Sequence, residues 1–524
     1  MIQPADIVLA TLNAKYIHAA FGLRYLMANM GDLQSRTCIV EFDLTQRAND
    51  IAEILLARRP RIIGLGVYIW NAQLTAEVVQ VLKRVAPAVT VILGGPEVSF
   101  ETELQPICAA ADYIITGEAD FKFGETCHTI LNGTPPDRKI IPSELPELAR
   151  LALPYDFYSD ADIANRIIYV EASRGCPFTC EFCLSSLDVP VRAFEINQFI
   201  GALESLLRRG VKHFKFVDRT FNLNLNTSRA ILEFCLASYQ PGLFFHFEMI
   251  PDRLPDGLRE IIAKFPPGAL QFEVGIQTFN PEVSARIKRR QNYDRLAENF
   301  RFLRGETGVH IHADLIVGLP GEDTASFARG FDTLVALGPQ EIQVGILKRL
   351  RGTPIVRHDT DWQMRYNPFP PYELLSNKSL PFDEMQKMRR FSRHWDILVN
   401  SGNFLHSAPL LWSNGESPFW SFMKFSDWLY ARMGRNHAIA LSTLAELLFE
   451  YSTTVLHLDA HTTANAIYSD YERGGRSDKP TVLRPFLEDR PPAARTTSAT
   501  LPKRQARHLS TSEPQTLASR ATVK

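Results

Sequence analysis

Three cysteines carry the strongest chemical signal in this 524-residue chain. Cys176, Cys180 and Cys183 stand in the run Arg174-Gly-Cys-Pro-Phe-Thr-Cys-Glu-Phe-Cys183, directly after the apolar, strand-like run Ile167-Ile-Tyr-Val170. Thiolates are soft ligands that suit zinc or iron–sulfur centres. The CxxxCxxC spacing lets one loop wrap one inorganic centre. A structural zinc and an ordinary ferredoxin cluster both take four protein ligands, and no fourth Cys or His stands nearby. Three thiolates on a four-iron cluster leave one iron open to a substrate or cofactor. The alternative is a zinc loop completed by a remote His. Cys38, Cys108, Cys127 and Cys235 are scattered through apolar or helical stretches. They read as small core residues, and the absence of a disulfide pattern predicts a reducing, cytoplasmic setting.

The elements that must position this loop alternate regularly. Residues 2–131 place β-rich runs at Ile7–Thr11, Thr37–Phe42, Ile62–Val67, Val89–Leu93 and Tyr113–Thr116, with amphipathic stretches between them. Five βα units predict a parallel, doubly wound, flavodoxin-like (Rossmann-like) sheet that binds ligands at the carboxyl ends of its strands. Those ends read Thr11-Leu-Asn13, Tyr68-Ile-Trp-Asn71, Gly94-Gly-Pro-Glu97 and Gly117-Glu-Ala-Asp120. Glycines there permit close approach of backbone to a large ligand. A dinucleotide fits poorly, because Gly64-Leu-Gly66 lacks the third glycine of the fingerprint and lies on the third strand. Proline-rich residues 136–160 read as a linker.

From Ile167 the alternation resumes, with strands expected at Ile167–Ala172, His213–Val217, Phe244–Met249, Leu270–Ile276, His310–Ile316 and Ile342–Leu347. Six such units suit a partial (β/α)6, TIM-like barrel rather than a complete eight-unit one. On three neighbouring strands polar residues alternate with apolar ones: His246 and Glu248, then Gln271, Glu273 and Gln277, then His310, His312 and Asp314. Parallel strands covered by helices are normally apolar on both faces, so this face predicts a lumen that holds a polar ligand.

After Arg351-Gly-Thr-Pro354 come aromatic-rich helical patterns at Asp383–Val399, Pro418–Met433 and Ala438–Leu456, read as an accessory helical domain. Beyond about Gly474 the composition predicts a disordered tail. The resulting organisation is a first domain over 1–135, the linker, a core domain over 161–355, the helical domain over 356–475 and the tail over 476–524. With 57 Lys and Arg against 58 Asp and Glu, charge makes no case for nucleic acid. Neither a signal peptide nor a membrane span is expected.

The cysteine spacing, with Phe182 just before the last Cys, resembles the radical S-adenosylmethionine (SAM) superfamily. In that family the amino and carboxylate groups of SAM chelate the open iron of a [4Fe-4S] cluster. The four loop sequences ahead of it, above all Leu93-Gly-Gly-Pro-Glu97 and Ile115-Thr-Gly-Glu118, resemble the cobalamin (B12)-binding domain that precedes many radical SAM domains. The resemblance implies cobalamin contacts at Thr11, Asn13, Tyr68, Gly94, Gly95, Pro96, Glu97, Gly117 and Glu118. The histidine-on cobalt motif is altered here to Tyr16-Ile-His-Ala-Ala-Phe-Gly22, which implies a lower cobalt face that is open or water-bound rather than ligated by His18.

For SAM the same resemblance implies Phe182 beside the adenine and Asp218 or Arg219 on the methionyl group, in place of the usual glycine-glycine-glutamate run. It also puts Glu273 near the ribose or methionyl group and His312 to Gly321 on the fifth strand and following loop. Glu248, Gln277, His312 and Asp314 complete the implied set. The last third resembles a domain of unknown function that follows some of these enzymes. The activity implied is reductive cleavage of SAM to start radical chemistry, with methyl transfer to an unactivated carbon as the leading reaction and flavodoxin or ferredoxin as the electron donor. The rivals are an oxidative cyclase or ring-rearranging enzyme of the anaerobic porphyrin-ester cyclase type, and a cobalamin- or redox-sensing binding protein. The substrate is not legible.

Overall fold

Fully apolar runs such as Ile7-Val-Leu-Ala make strands only where helices cover both faces of a sheet, and the first sheet is built that way. The computed structural model describes residues 3–188, 190–474, 476, 478–487 and 502–509. They form two compact units.

The first unit comprises residues 1–219, 348–357 and 366–373. Its strands β1 (Ile7–Asn13), β2 (Thr37–Asp43), β3 (Ile62–Gly66), β4 (Thr90–Gly94), β5 (Tyr113–Thr116) and β6 (Ile140–Pro142) form one parallel sheet in the order β2-β1-β3-β4-β5-β6. Between them run α1 (Phe21–Ala28), α2 (Ala48–Leu56), α3 (Ala72–Val85), α4 (Pro106–Ala110) and α5 (Lys122–Leu131). Alternate residues of β1 serve opposite faces: Val8, Ala10 and Leu12 pack with α2 and α3, whereas Ile7 and Leu9 pack with α1 and α5. Strand β6 corrects the expected linker, since part of residues 136–160 is a sixth strand paired with β5. Its prolines hid it, and an edge position tolerates them because Pro142 ends the strand.

Helix α6 (Asp160–Asn165) starts on a capping box, with Ser159 and Asp162 satisfying each other's backbone N–H groups. Then come β7 (Ile168–Val170), a small antiparallel ribbon of β8 (Ser173–Arg174) and β9 (Arg192–Ala193), α7 (Ile196–Arg208) and β10 (His213–Phe216). Strand β10 pairs with β7 in parallel.

The second unit holds α8 (Leu225–Ala237), β11 (Phe244–Met249), α9 (Asp256–Ile262), β12 (Leu270–Gln277), α10 (Pro281–Arg286), α11 (Tyr293–Glu306), β13 (His310–Val317), α12 (Thr324–Leu337) and β14 (Glu341–Ile346). Strands β11 to β14 pair in parallel, in sequence order. All six strands expected of the partial barrel are therefore present, two in the first unit and four in the second. The helical region follows as α13 (Phe382–Trp395), α14 (Pro418–Met433), α15 (Leu441–Thr454) and α16 (Ala460–Arg473). Its core is aromatic: Phe331 of α12 meets Phe391 and Trp395 of α13 and Phe419 of α14, edge to face.

Two parts of the expected disordered tail are ordered, and in the first Arg484–Phe486 form a 3-10 turn beside fully buried Leu483. Residues Lys503–Leu509 form α17, where Gln505 hydrogen-bonds Gln271 at 2.7 Å and Arg504 pairs with Glu341 at 2.9 Å. Buried polar partners on the strands supply what a sparse apolar content could not. Apart from residues 476, 478–487 and 502–509, that tail lies outside the described residues. No helix among the described residues is long and apolar enough to cross a membrane.

Candidate active site

The strand order of the first sheet decides where a ligand enters. From β1 the chain moves outward to β2, then returns to place β3 on the other side of β1. The loops after β1 and β3 diverge there, which opens a crevice at the carboxyl ends. A cavity of about 280 Å³ lies at this end, lined by Gly64, Gly66, Tyr68, Gly94, Gly95 and Gly117, by Phe21 and Tyr25 of α1, and by Phe123 of α5. Its polar wall is Asp120, Glu171 and Arg174. The ring of Tyr68 stacks on Trp70, centroids 4.4 Å apart, and Trp70 presents its other face outward at 46% exposure.

Of the residues expected to touch cobalamin, Tyr68, Gly94, Gly95 and Gly117 line this cavity. The others are engaged elsewhere. Thr11 Oγ1 donates to the Gly66 carbonyl at 2.7 Å, and Asn13 Nδ2 donates to Glu41 Oε2 at 2.6 Å. Pro96 is exposed. Buried Glu97 accepts from Arg351 Nε at 2.9 Å and from Tyr372 Oη at 2.7 Å. Glu118 accepts from Arg174 at 2.7 Å and also from Arg192. Gly95 sits at φ +106°, and a Cβ there would lie 2.5 Å from the Val67 carbonyl oxygen. The turn itself requires this glycine, whatever ligand the loop receives. His18 is tied by Nδ1 to Tyr169 Oη at 2.6 Å, and burial lowers its pKa.

The cysteine loop closes on the β8–β9 ribbon. Cys176 N–H donates to the Asp188 carbonyl at 3.0 Å and Cys183 N–H to the Cys180 carbonyl at 3.1 Å. Gly175, at φ +90°, passes so near the Asp188 and Pro190 carbonyls that a Cβ would lie 2.7 and 2.8 Å from their oxygens. Only glycine fits ahead of Cys176. Cys176 and Cys180 are buried, Cys183 half-buried, and no cysteine is in a disulfide. Burial raises the thiols of Cys38 and Cys235, pushes Cys108 up to about 11 and Cys127 up to about 12, so these four resist becoming thiolate ligands. Among the described residues no three His, Cys, Asp or Glu gather as a single-ion site. A four-iron cluster takes each thiolate on its own iron, so its ligands stand farther apart. Phe182 is half-buried within the loop. Its neighbour Glu181 is fully buried and forms an ion pair with Arg357, Nη2 to Oε1 at 2.6 Å.

Asp218 braces the same loop. Its carboxylate accepts from the Ala172 N–H at 3.0 Å and from Ser173 Oγ at 2.6 Å. Burial raises its pKa to about 6 against those hydrogen bonds. Arg219 beside it is exposed.

In the second unit the expected alternation holds over most of its length, but Gln271 and His310, also expected on the polar face, are buried against Gln505 and Glu341. Phe245, Phe247, Phe272, Val274, Ile311 and Ala313 are buried, whereas His246, Glu248, Glu273, Gln277, His312 and Asp314 are half-buried on the opposite face. The polar face is knit together by ion pairs: His246 Nε2 meets Glu273 Oε2 at 3.0 Å, and His312 lies between Asp314 at 3.3 Å and Glu341 at 3.4 Å. Burial disfavours the charged imidazole of His312, yet its hydrogen bonds to Asp314 and Glu341 raise it to about 10. Gln277 stands at φ +73° beside a register shift between β12 and β13. A non-glycine residue held there is strain of the kind that collects at functional sites.

Arg174, Arg192, Arg351 and Glu341 escaped sequence reasoning. Arg174 and Glu118 are 56 residues apart, and no periodicity announces such a pair.

Set beside known families, residues 7–125 match the B12 binding domain, residues 170–333 the Radical SAM superfamily, and residues 360–517 a family of proteins of unknown function, DUF4080. Relatives include the cobalamin-dependent radical SAM methyltransferase TokK of Streptomyces tokunonensis, 24% identical over 79% of this chain and 65% of that protein. Another is an uncharacterized methyltransferase of Pyrococcus horikoshii, 26% identical over 54% of this chain and 67% of that protein. The chain thus spans about two thirds of the length of these curated relatives. In fold it is similar to the radical S-adenosylmethionine methyltransferase TsrM of Kitasatospora setae, with a TM-score of 0.56 at 16% identity, covering 70% of this chain and 80% of that one.

Proposed function

We propose that this chain, which carries a B12-binding domain, a radical SAM domain and a DUF4080 domain in that order, is a cobalamin-dependent radical SAM enzyme that methylates an unactivated carbon. The observation that carries this reading is the cysteine loop. Three thiols, two of them buried, lie on a loop that only Gly175 allows, and its neighbour in the same unit is a glycine-lined cavity at the switch point of a parallel sheet. The donor set suits a site-differentiated [4Fe-4S] cluster, with three soft thiolates and no fourth ligand in the run. The cavity suits part of a corrinoid, because glycine backbone permits close approach.

When bound, the cluster and SAM supply a carbon radical that removes a substrate hydrogen and cobalamin supplies the methyl, while a second SAM restores that methyl and an external donor such as flavodoxin or ferredoxin brings the electrons. The residues of the chain supply position and exclusion. Cys176, Cys180 and Cys183 hold the cluster. Asp218 holds the backbone at Ala172 and Ser173, just ahead of the loop. Tyr68, Gly94 and Gly117 shape the corrinoid seat. Glu273, Gln277, His312 and Asp314 form a charged, hydrogen-bonding face whose chemistry would suit the polar groups of SAM.

Anaerobic reconstitution with iron, sulfide and hydroxocobalamin tests the proposal. The protein should retain corrinoid and iron through desalting and, with SAM and dithionite, release 5′-deoxyadenosine and S-adenosylhomocysteine. Release of 5′-deoxyadenosine alone would favour a cyclase. Retention of both cofactors with neither product would favour a sensor.

A further inference from the structure

The cavity and the cysteine loop meet at one guanidinium. Arg174 is the last residue before Gly175-Cys176, and its side chain is only 11% exposed. Its Nε donates to Glu171 Oε1 at 2.9 Å, Nη1 to Glu118 Oε2 at 2.7 Å and to Asp120 Oδ2 at 2.9 Å, and Nη2 to Asp120 Oδ1 at 3.1 Å. The guanidinium also lies 4.5 Å from the ring centre of Tyr25 on α1. The other leg of the ribbon is anchored to the same place. Arg192 pairs with Glu118 and, at 3.2 Å, with Asp188. Both ends of the cysteine loop are therefore fastened to Glu118, which directly follows cavity-lining Gly117. A planar fork that engages three carboxylates is a fixed-geometry joint, and lysine, a point charge on a flexible stem, cannot reproduce it.

We infer that Arg174 and Glu118 are positioning residues that set the register between the corrinoid seat and the cluster loop, so that a methyl group and a substrate radical meet in line. The inference rests on the function proposed above. It assigns Glu118 to the cluster loop rather than to a contact with cobalamin. Neither residue touches a reacting atom; Glu118 lies outside the cavity lining, whereas Arg174 also forms part of its polar wall. Loss of the joint loosens one loop against the other. A misplacement of about 1 Å costs on the order of 100-fold in a positioned reaction.

The test uses Arg174→Lys and Glu118→Gln in the full chain, reconstituted anaerobically with iron, sulfide and hydroxocobalamin. Both variants should retain iron, and Glu118→Gln, which lies outside the cavity lining, should also retain corrinoid as the unsubstituted protein does. In pulsed EPR the dipolar coupling between cob(II)alamin and the reduced cluster should spread over a visibly wider distance distribution. With SAM and dithionite, 5′-deoxyadenosine release should persist while the ratio of S-adenosylhomocysteine to 5′-deoxyadenosine falls at least about tenfold, the scale of an outer-shell defect. An unchanged distance distribution and product ratio in both variants overturns the inference. So does loss of both cofactors in both variants, which would make the joint a requirement of folding alone. Failure of the unsubstituted protein to retain corrinoid overturns the proposed function and this inference together, and is distinguished by appearing without any substitution.

Discussion

Adding one methyl group at Gly94 and at Gly95 should separate the corrinoid seat from the scaffold beneath it. The two neighbours differ sharply. At Gly95 the backbone has φ +106°, and a Cβ would sit 2.5 Å from the Val67 carbonyl oxygen and 3.1 Å from its nitrogen. Gly95→Ala therefore has to pay a left-handed backbone penalty of about 1–2 kcal/mol and move main chain that itself carries the Val67 to Gly94 hydrogen bond. A total loss of about 2–5 kcal/mol follows, with overpacking adding roughly 1–3 kcal/mol to the strain. At Gly94 the φ is ordinary, and a Cβ would meet only the Ile115 carbonyl oxygen, at 3.6 Å, an ordinary contact. Gly94→Ala should keep the apo stability within about 0.5 kcal/mol.

Gly94 lines the cavity, however. A methyl that intrudes on a close-fitting ligand costs about 1–3 kcal/mol, or roughly 5- to 150-fold in affinity. Urea unfolding of the apo protein by circular dichroism reads the first quantity, and titration with hydroxocobalamin reads the second. Full corrinoid affinity in Gly94→Ala, or unchanged apo stability in Gly95→Ala, would refute the reasoning.

Cys176→Ala, Cys180→Ala and Cys183→Ala should each abolish the iron content of anaerobically reconstituted protein, whereas Cys108→Ala, Cys127→Ala and Cys235→Ala should leave it intact; iron and sulfide assays decide. His18→Ala should change corrinoid affinity by less than about threefold, since the run Tyr16-Ile-His-Ala-Ala-Phe-Gly22 lacks the acid of the histidine-on motif and His18 is not part of the cavity wall. Asp218 has a folded pKa of about 6 against a reference of 3.8, so folding disfavours its charged form. Its stabilising contribution is complete below about pH 4, is lost as pH rises through about 6, and leaves a penalty of about 3 kcal/mol at pH 7.5. Asp218→Asn, which keeps an acceptor for Ala172 and Ser173, should raise the thermal midpoint at pH 7.5 and match the parent near pH 4. The opposite ordering would show that the carboxylate is favoured in place.

Much of the fold was legible because it is written locally. Strands β11, β12 and β13 lie where apolar runs and polar alternation put them, and the polar residues face together as period two requires. The cavity-lining glycines were legible for the same reason, as breaks at strand ends. What stayed hidden is set by partners distant in sequence. The sixth strand of the first sheet, Ile140–Pro142, looks like linker until β5 offers it an edge. The acids Glu97 and Glu118 were expected at the ligand because their runs, Leu93-Gly-Gly-Pro-Glu97 and Ile115-Thr-Gly-Glu118, resemble cobalamin-binding loops. Their arginine partners, Arg351 and Arg174, are 254 and 56 residues away. Likewise α17 has little apolar surface of its own, and Glu341 and Gln271 give it a place to dock.

The most direct test of the central claim follows the methyl group itself. Protein reconstituted with cluster and hydroxocobalamin is incubated anaerobically with SAM bearing a deuterated methyl and with dithionite, and the bound corrinoid is extracted for mass spectrometry. Trideuteriomethylcobalamin should form with matching S-adenosylhomocysteine, and 5′-deoxyadenosine should disappear in Cys176→Ala. Corrinoid that stays bound but never gains the label would contradict it.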